Sequence, residues 1–495
     1  MLKEGESSQN SADSQTPRHP DIDSNLHTPF VQKSPRQNTE YSLIKSQNKS
    51  NPFKIDKEQT TSQTHRMTST LTNPISTLPL NAPTIHQLSN GLTIVAEQLP
   101  VDAVNLSVWL NVGSAVEPDN INGMAHFLEH MVFKGTPNLQ VGEFEQRIEE
   151  RGAITNAATS QDYTHYYITT APQDFADLAP LQLDVVFNPE LPLEAFERER
   201  FVVLEEIRRA EDNPSRRSFR QAMETVFERL PYKRPVLGPA SVIEQVSCQQ
   251  MRDFHHHWYQ PAKATVSVVG NLPVEQLIET VAAGMPQIQL ASPEAAVLPN
   301  AAPEASYTQV IRRELEDPTL QQARLIMLWR TPGLNQLEET YGLDVLATIL
   351  GQGRTARLVQ DLREQRQLVS SISVSHMTQH YQGVFYIAAR LPVEHLAEVE
   401  TAITEQIQAL QTEPIKPAEV TRVQTQVANR FIFGNETPSD RAGLYGYYQT
   451  VVGDLNAALN YPVKIQSLTA EALQQTAQRY LDHQAYGVVI IKPAA

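Results

Sequence analysis

Three features are scarce in this sequence: cysteine, long apolar runs and positive charge. The single cysteine, Cys248, excludes an intrachain disulfide and a thiolate metal cluster, so any metal would have to bind histidine and carboxylate. No run of about 18 apolar residues occurs and the N-terminus lacks a short apolar signal core, which predicts a cytoplasmic protein without a membrane segment. The 40 basic and 56 acidic residues give a formal net charge of -16, which argues against nucleic acid as a partner.

The length of 495 residues predicts two or three domains. Residues 1–82 are rich in Ser, Thr, Gln, Asn and Pro, and this composition predicts a disordered low-complexity tail. Residues 291–304 are rich in Ala and Pro and predict a linker. These two segments leave an N-terminal lobe at residues 83–290 and a C-terminal lobe at residues 305–495.

The two predicted lobes share one pattern of elements. A strand near 105–112 is followed by a helix near 123–133, and a strand at 323–329 is followed by a helix near 340–350. In the first lobe, a hairpin is predicted around Asn90-Gly91 and one polar strand near 154–167. The sequence therefore predicts an α+β fold made by internal duplication, in which each lobe is an antiparallel-rich sheet packed with helices.

The strongest chemical motif is His126-Phe-Leu-Glu129-His130 on the first of these helices. Residues three and four apart share a helix face, so these three polar side chains project the same way. Two imidazoles one turn apart can hold a Zn²⁺ ion, and the order H-x-x-E-H is the inverzincin signature. Glu129 then has the position of a general base for a metal-activated water. The alternative is a chance coincidence of polar residues on a solvated face.

A third ligand is expected on the helix near 196–210. Glu199 and Glu206 lie seven residues apart on this helix, hence two turns apart on one face. From the spacing alone, either carboxylate can complete the site.

These residues resemble the pitrilysin and mitochondrial-processing-peptidase group of zinc metallopeptidases. In that family an H-x-x-E-H helix is completed by a Glu about 76 residues further on, in a V-x-L-x-E-I context that the residues around Glu206 match. The resemblance implies Glu206 as the third ligand and Glu199 as an acidic residue that orients the site. Glu205, about 100° around the helix, is better read as a surface charge.

The resemblance covers residues 84–495 and is to short, two-lobe members of bacterial type. It implies that the strand with Asn156 and Ala157 pairs with an extended substrate, and that Phe133 lines a substrate pocket. A plain polar strand and a core phenylalanine are the competing interpretations. The second lobe resembles the family's inactive repeat, since its matching helix, 343–350, has no histidine. One Zn²⁺ per chain follows.

The resemblance implies a zinc-dependent endopeptidase, processing or oligopeptide-degrading, that cleaves short or unfolded peptides. Active members often use an Arg and a Tyr of a second lobe to steady the reaction intermediate. The positions around Val374 and Gln379 carry neither, and Tyr381 and Arg390 fit the spacing poorly. We therefore expect a homodimer, or a heterodimer with a related chain that lacks the zinc motif. The alternative is a non-catalytic or partner-dependent subunit of a heterodimeric peptidase.

Overall fold

The structure is a computed structural model that describes residues 82–287 and 301–494. Apart from residue 82, the predicted disordered tail lies outside this range, as do residues 291–300 of the predicted linker. The domain boundaries therefore stay predictions. Within the described ranges, no helix has both the length and the apolar character needed to cross a membrane.

The first half of the chain builds a six-stranded sheet. Its strands are β1 (Thr84–Gln87), β2 (Thr93–Gln98), β3 (Val104–Leu110), β4 (Ile154–Thr159), β5 (Thr164–Thr170) and β6 (Ala264–Gly270). They are ordered β1-β2-β6-β3-β5-β4, with only the β2–β6 pair parallel. The predicted Asn90-Gly91 hairpin is confirmed, because Gly91 takes a φ of +89° between β1 and β2.

The prediction of one strand near 154–167 was wrong, since the chain folds there as two antiparallel strands. The N–H of Ser160 donates to the carbonyl of Tyr163 at 2.8 Å and closes a tight turn. The short polar run Ser-Gln-Asp supplies the turn residues, which the continuous polar pattern conceals. As a result, β4 lies at the edge of the sheet, and no other described strand pairs with its outer side.

The second half repeats this plan with five strands. They are β7 (Ile311–Glu316), β8 (Ala323–Pro332), β9 (Ser371–Met377), β10 (Gln382–Leu391) and β11 (Gly487–Lys492), in the order β7-β11-β8-β10-β9. The parallel β7–β11 pair corresponds to β2–β6, and the edge strand β9 corresponds to β4. The predicted duplication of an α+β unit is confirmed.

Fourteen α-helices of the described residues cover the two sheets. In the first half they are α1 (Met124–Met131), α2 (Glu143–Glu150), α3 (Phe175–Phe187), α4 (Leu193–Asp212), α5 (Pro214–Val226), α6 (Ala240–Ile243), α7 (Cys248–Trp258) and α8 (Val274–Gly284). In the second half they are α9 (Tyr341–Gly351), α10 (Leu396–Thr412), α11 (Pro417–Phe433), α12 (Pro438–Tyr447), α13 (Leu455–Ser467) and α14 (Ala470–Tyr480).

Each half contributes one helix that packs on the sheet of the other half. Helix α5 of the first half packs on β8 and β11, and α12 of the second half packs on β3 and β6. At the α12 contact the buried Glu97 carboxylate accepts hydrogen bonds from Arg441 Nη1 at 2.6 Å and from the Tyr445 hydroxyl at 2.7 Å. A buried charge needs such partners. The lobes are thus joined by packed and hydrogen-bonded surfaces.

Candidate metal centre

Helix α1 carries the predicted histidine pair and has its apolar side in the core. Phe127, Leu128 and Met131 are fully buried. The helix follows Gly123, whose φ of +97° favours glycine. A Cβ atom at Gly123 would lie 2.5 Å from the carbonyl oxygen of Leu237, so the backbone near Leu237 leaves no room for a side chain at position 123.

Helix α4 lies against α1 and brings the acidic residues to the histidines. The rings of Phe127 and Phe196 stack at 4.7 Å between centroids. Such aromatic pairs contribute about 0.5–1.5 kcal/mol beyond their burial. Val203 and Ile207 are buried on the same side of α4. This packing directs Glu199 and Glu206 towards α1.

The structure brings His126, His130 and Glu206 together. One ligand atom of each lies within 4.8 Å of the others, and this is the one such group of three that the described ranges contain. Glu206 Oε2 is 3.5 Å from Nε2 of both histidines. Ligand atoms of a tetrahedral zinc ion at 2.0–2.1 Å lie about 3.4 Å apart, so the donor set fits zinc in type and in spacing.

Two of these three groups, His126 and Glu206, have charge states that suit a dication, and His130 carries a proton. Burial, with the neighbouring His130, lowers the pKa of His126 to about 3, so that imidazole is neutral at pH 7. Burial would raise the pKa of Glu206, but the histidines outweigh it and lower that pKa to about 2. Burial also acts to lower the pKa of His130, yet Glu199 and Glu206 raise it to about 9. A metal bound here would displace the His130 proton.

Glu199 forms a hydrogen bond with the His130 ring nitrogen that points away from Glu206. Its Oε1 lies 3.0 Å from His130 Nδ1, which leaves Nε2 facing Glu206. Its Oε2 pairs with Lys134 Nζ at 2.9 Å. Burial opposes ionisation of Glu199, but His130 and Lys134 outweigh it and lower the pKa of this carboxyl. Glu199 therefore fixes the tautomer and the orientation of a histidine whose other nitrogen faces the site.

We expect Glu199→Gln to weaken zinc binding about 10- to 100-fold, the usual cost of losing such an outer hydrogen bond. Competition with a chromophoric chelator measures the dissociation constant. Glu197→Gln is the matched control, because Glu197 lies on the same helix but is 53% exposed and pairs with Arg200. Equal affinities for the two variants would contradict the orienting role of Glu199.

Glu129 lies on the same face of α1 as His126 and His130, beside the three predicted ligands. It is 8% exposed, and burial raises the pKa of its carboxyl above the ordinary value. Glu129 Oε2 accepts a hydrogen bond of 2.5 Å from Thr159 Oγ1 at the end of β4. This bond favours the ionised carboxylate and holds it in place, as a general base requires.

Thr159→Val is expected to lower kcat/KM for the predicted peptide hydrolysis about 10- to 100-fold, because one hydrogen bond to a charged group contributes about 1.5–3 kcal/mol. Loss of the bond raises the pKa of Glu129, so the acid limb of the pH profile moves to higher pH. Thr155→Val is the control, since the Thr155 hydroxyl donates to the carbonyl of Tyr167 on the neighbouring strand. An unchanged profile for Thr159→Val would show that the bond does not tune the base.

The predicted substrate-contact residues lie near this site. Asn156 is exposed on the edge strand β4, and Ala157 is 8% exposed. Asn156 Oδ1 accepts the N–H of Ala157 at 2.9 Å, so this backbone donor is occupied by a displaceable side chain. Phe133 is half-buried, with ring contacts to Phe144 and Tyr166. Their role in substrate binding stays a prediction.

Three further residues of the site were not predicted from the sequence. They are Thr159, which bonds Glu129, Lys134, which bonds Glu199, and Glu117, which binds the start of α1. Lys134 follows His130 by four residues, a spacing that can indicate a shared partner. Thr159 and Glu117 have no comparable periodic signal.

The corresponding helix of the second half, α9, has Asp344, Ala347 and Thr348 at the same spacing as the H-x-x-E-H motif. Asp344 Oδ1 is 2.7 Å from His376 Nδ1, and its Oδ2 accepts from the Tyr461 hydroxyl at 3.2 Å. These polar groups pair with one another across α9, β9 and α13. Helix α9 itself contains no histidine, as expected.

Comparison with known families identifies both halves of the chain. Residues 93–240 match the model of the insulinase family, peptidase family M16, and residues 245–427 match the model of the peptidase M16 inactive domain. The chain is 29% identical over 421 residues to an uncharacterised zinc protease of Mycobacterium bovis, covering 83% of this chain and 93% of that protein. It is 26% identical over 413 residues to zinc protease PqqE of Helicobacter pylori, covering 82% and 92%.

Solved structures show the same two-lobe architecture. A protease from Helicobacter pylori superposes with a TM-score of 0.79 at 25% identity, covering 84% of this chain and all of that one. A peptidase M16 inactive domain from Pseudomonas fluorescens superposes with a TM-score of 0.73 at 19% identity, covering 83% and 98%. The second likeness concerns the fold alone.

Proposed function

The chain belongs to peptidase family M16, and from this premise we propose that it is a zinc-dependent endopeptidase that cleaves short or unfolded peptides. One observation carries the proposal. Two imidazole nitrogens and a carboxylate oxygen lie within 4.8 Å of one another, with a buried glutamate on the same helix face. Zinc peptidase sites need this combination of three protein ligands and a base.

The residues of the proposed site have separate roles in the reaction. His126, His130 and Glu206 would hold the zinc ion, which lowers the pKa of a bound water towards neutrality and polarises a carbonyl. Glu129 takes a proton from the attacking water and later delivers it to the leaving amine. Thr159 holds the Glu129 carboxylate, and Glu199 holds the His130 ring. Burial raises the pKa of Glu129, which favours its acceptance of a proton from water.

The substrate would lie along β4. An exposed edge strand can add an extended peptide as a further strand, and a compact folded protein cannot present its backbone in this way. Asn156 and Ala157 would contact the peptide backbone, and Phe133 would contact a substrate side chain. The predicted location, the cytoplasm, suits a role in processing or degrading peptides there.

We further propose that the active form is a dimer, made of two copies or of this chain with a related chain lacking the zinc motif. The support is the absence of the Arg and Tyr pair from the positions where the resemblance puts it. A non-catalytic subunit is the second candidate function. It is favoured by one matching family model and one solved structure, both of which are described as peptidase M16 inactive domains.

Zinc content and hydrolysis of a quenched unfolded peptide by the purified chain test the proposal. One zinc per chain together with cleavage supports a self-sufficient peptidase. Zinc without cleavage supports the partner-dependent alternative, and adding a related chain without H-x-x-E-H should then restore activity. A chain that binds no zinc contradicts the proposal.

A further inference from the structure

Glu117 is a buried carboxylate that takes no part in the proposed reaction. It lies between β3 and α1, is 3% exposed, and sits at the first turn of the metal-binding helix. Its Oε2 accepts the N–H of Gly123 at 2.8 Å, and its Oε1 accepts the N–H of Ala125 at 2.7 Å. The first N–H groups of a helix have no partner within the helix, and Glu117 supplies acceptors for two N–H groups at the start of α1. Burial raises the pKa of this carboxyl to about 7, although the N–H groups of Ala125 and Gly123 act to lower it.

The surroundings leave Glu117 little freedom. Asn122 Nδ2 donates to Glu117 Oε2 at 2.8 Å and to the carbonyl of Pro235 at 3.3 Å. A Cβ atom at Gly238 would lie 2.2 Å from the carbonyl oxygen of Asn122, so this segment presses on the start of α1. Arg234 donates to the carbonyl of Ser114 at 3.0 Å and so holds the strand side of the loop. Glu117 is thus fixed on both sides.

We propose that Glu117 is a positioning residue for the metal centre. By binding the N–H groups of Gly123 and Ala125 it fixes the first turn of α1, and His126 is the next residue along the chain. His126 must keep its Nε2 near Glu206, at the 3.5 Å that the structure shows, for both to reach one ion. This inference rests on the proposed zinc function.

Glu117→Gln tests the inference, because it keeps the shape but replaces one acceptor oxygen by an NH₂ group that faces a backbone N–H. We expect the dissociation constant for zinc to rise about 10- to 100-fold, in line with other residues that orient ligands. The visible absorption bands of the Co²⁺-loaded protein should also change in position or intensity. A role limited to overall stability would change neither quantity in the folded protein.

Glu143→Gln is the matched control. Glu143 also accepts a backbone N–H at the start of a helix, from Gln140 at 2.9 Å, but it belongs to α2 and lies on the surface. It should bind zinc like the parent chain. If Glu117→Gln does not fold, Asn122→Ala removes one donor to the same carboxylate and should weaken zinc binding about three- to tenfold.

The outcomes separate this inference from the proposed function. A parent chain that binds no zinc overturns the proposed function and the inference together. A parent that binds zinc, with folded Glu117→Gln or Asn122→Ala proteins within twofold of its affinity and with the same Co²⁺ spectrum, overturns the inference alone. Weaker binding in these variants and parental binding in Glu143→Gln support it.

Discussion

Glu129→Gln is expected to retain zinc while lowering kcat about 1,000-fold, the middle to upper part of the range for a lost general base. Glutamine has nearly the shape of glutamate and can still accept the hydrogen bond from Thr159, so the helix and its histidines should keep their positions. It cannot accept a proton from water. A 1,000-fold loss corresponds to about 4 kcal/mol of transition-state stabilisation.

Metal analysis and peptide hydrolysis must be made on the same preparation of Glu129→Gln. Glu150→Gln is a suitable control, because Glu150 is an exposed glutamate on α2 that accepts a hydrogen bond from Gln146. This control should keep parental activity. Parental activity in zinc-loaded Glu129→Gln would instead mean that another group accepts the proton. Loss of zinc from this variant would mean that Glu129 also supports the metal.

Much of the fold could be predicted because it follows from the spacing of apolar, polar and turn residues that lie close together in the chain. The turn at Asn90-Gly91, the amphipathic helix α4 and the repeated strand-helix order each depend on residues close together in the chain. The exchange of helices between the halves has no such signal. Tyr445 bonds Glu97 across 348 positions of sequence, and the apolar face of a helix does not specify which sheet covers it.

The same distinction applies to the site. The H-x-x-E-H spacing predicts that His126, Glu129 and His130 share a face, and α4 supplies its carboxylates at a helical spacing of seven. The structure brings His126, His130 and Glu206 into one group. Thr159 reaches Glu129 from a strand, and Glu117 reaches α1 from a loop. Such contacts between different element types depend on tertiary packing, which a single sequence does not reveal.

Adjacent glutamates on α4 allow a sharper test of the metal site. Glu206 Oε2 lies 3.5 Å from Nε2 of both histidines and is 25% exposed in its side chain. Glu205, the residue before it, has a side chain that is 40% exposed and pairs with Arg208 and Arg209 on the outer side of the helix. The two residues have the same chemistry and nearly the same helix position, and they differ in the direction of the side chain.

Glu206→Gln is expected to weaken zinc binding about 100- to 1,000-fold and to abolish hydrolysis at low zinc. Four-ligand zinc sites gain about 10–16 kcal/mol from binding, hence about 2.5–4 kcal/mol for each ligand. The neutral amide is a poorer ligand and no longer favours protonation of His130, whose pKa should fall. Competition with a chelator, with zinc held at buffered concentrations, measures the loss.

Glu205→Gln should bind zinc and cleave peptide like the parent chain. It removes the same charge one residue away, so any general effect of charge on α4 appears equally in both variants. A loss confined to Glu206→Gln assigns the carboxylate to the ion. Equal losses in both variants would indicate a long-range charge effect, and a loss confined to Glu205→Gln would assign the third ligand to the other face of the helix. A loss confined to Glu205→Gln would require α4 to turn by about 100°, which the buried contacts of Val203 and Ile207 oppose.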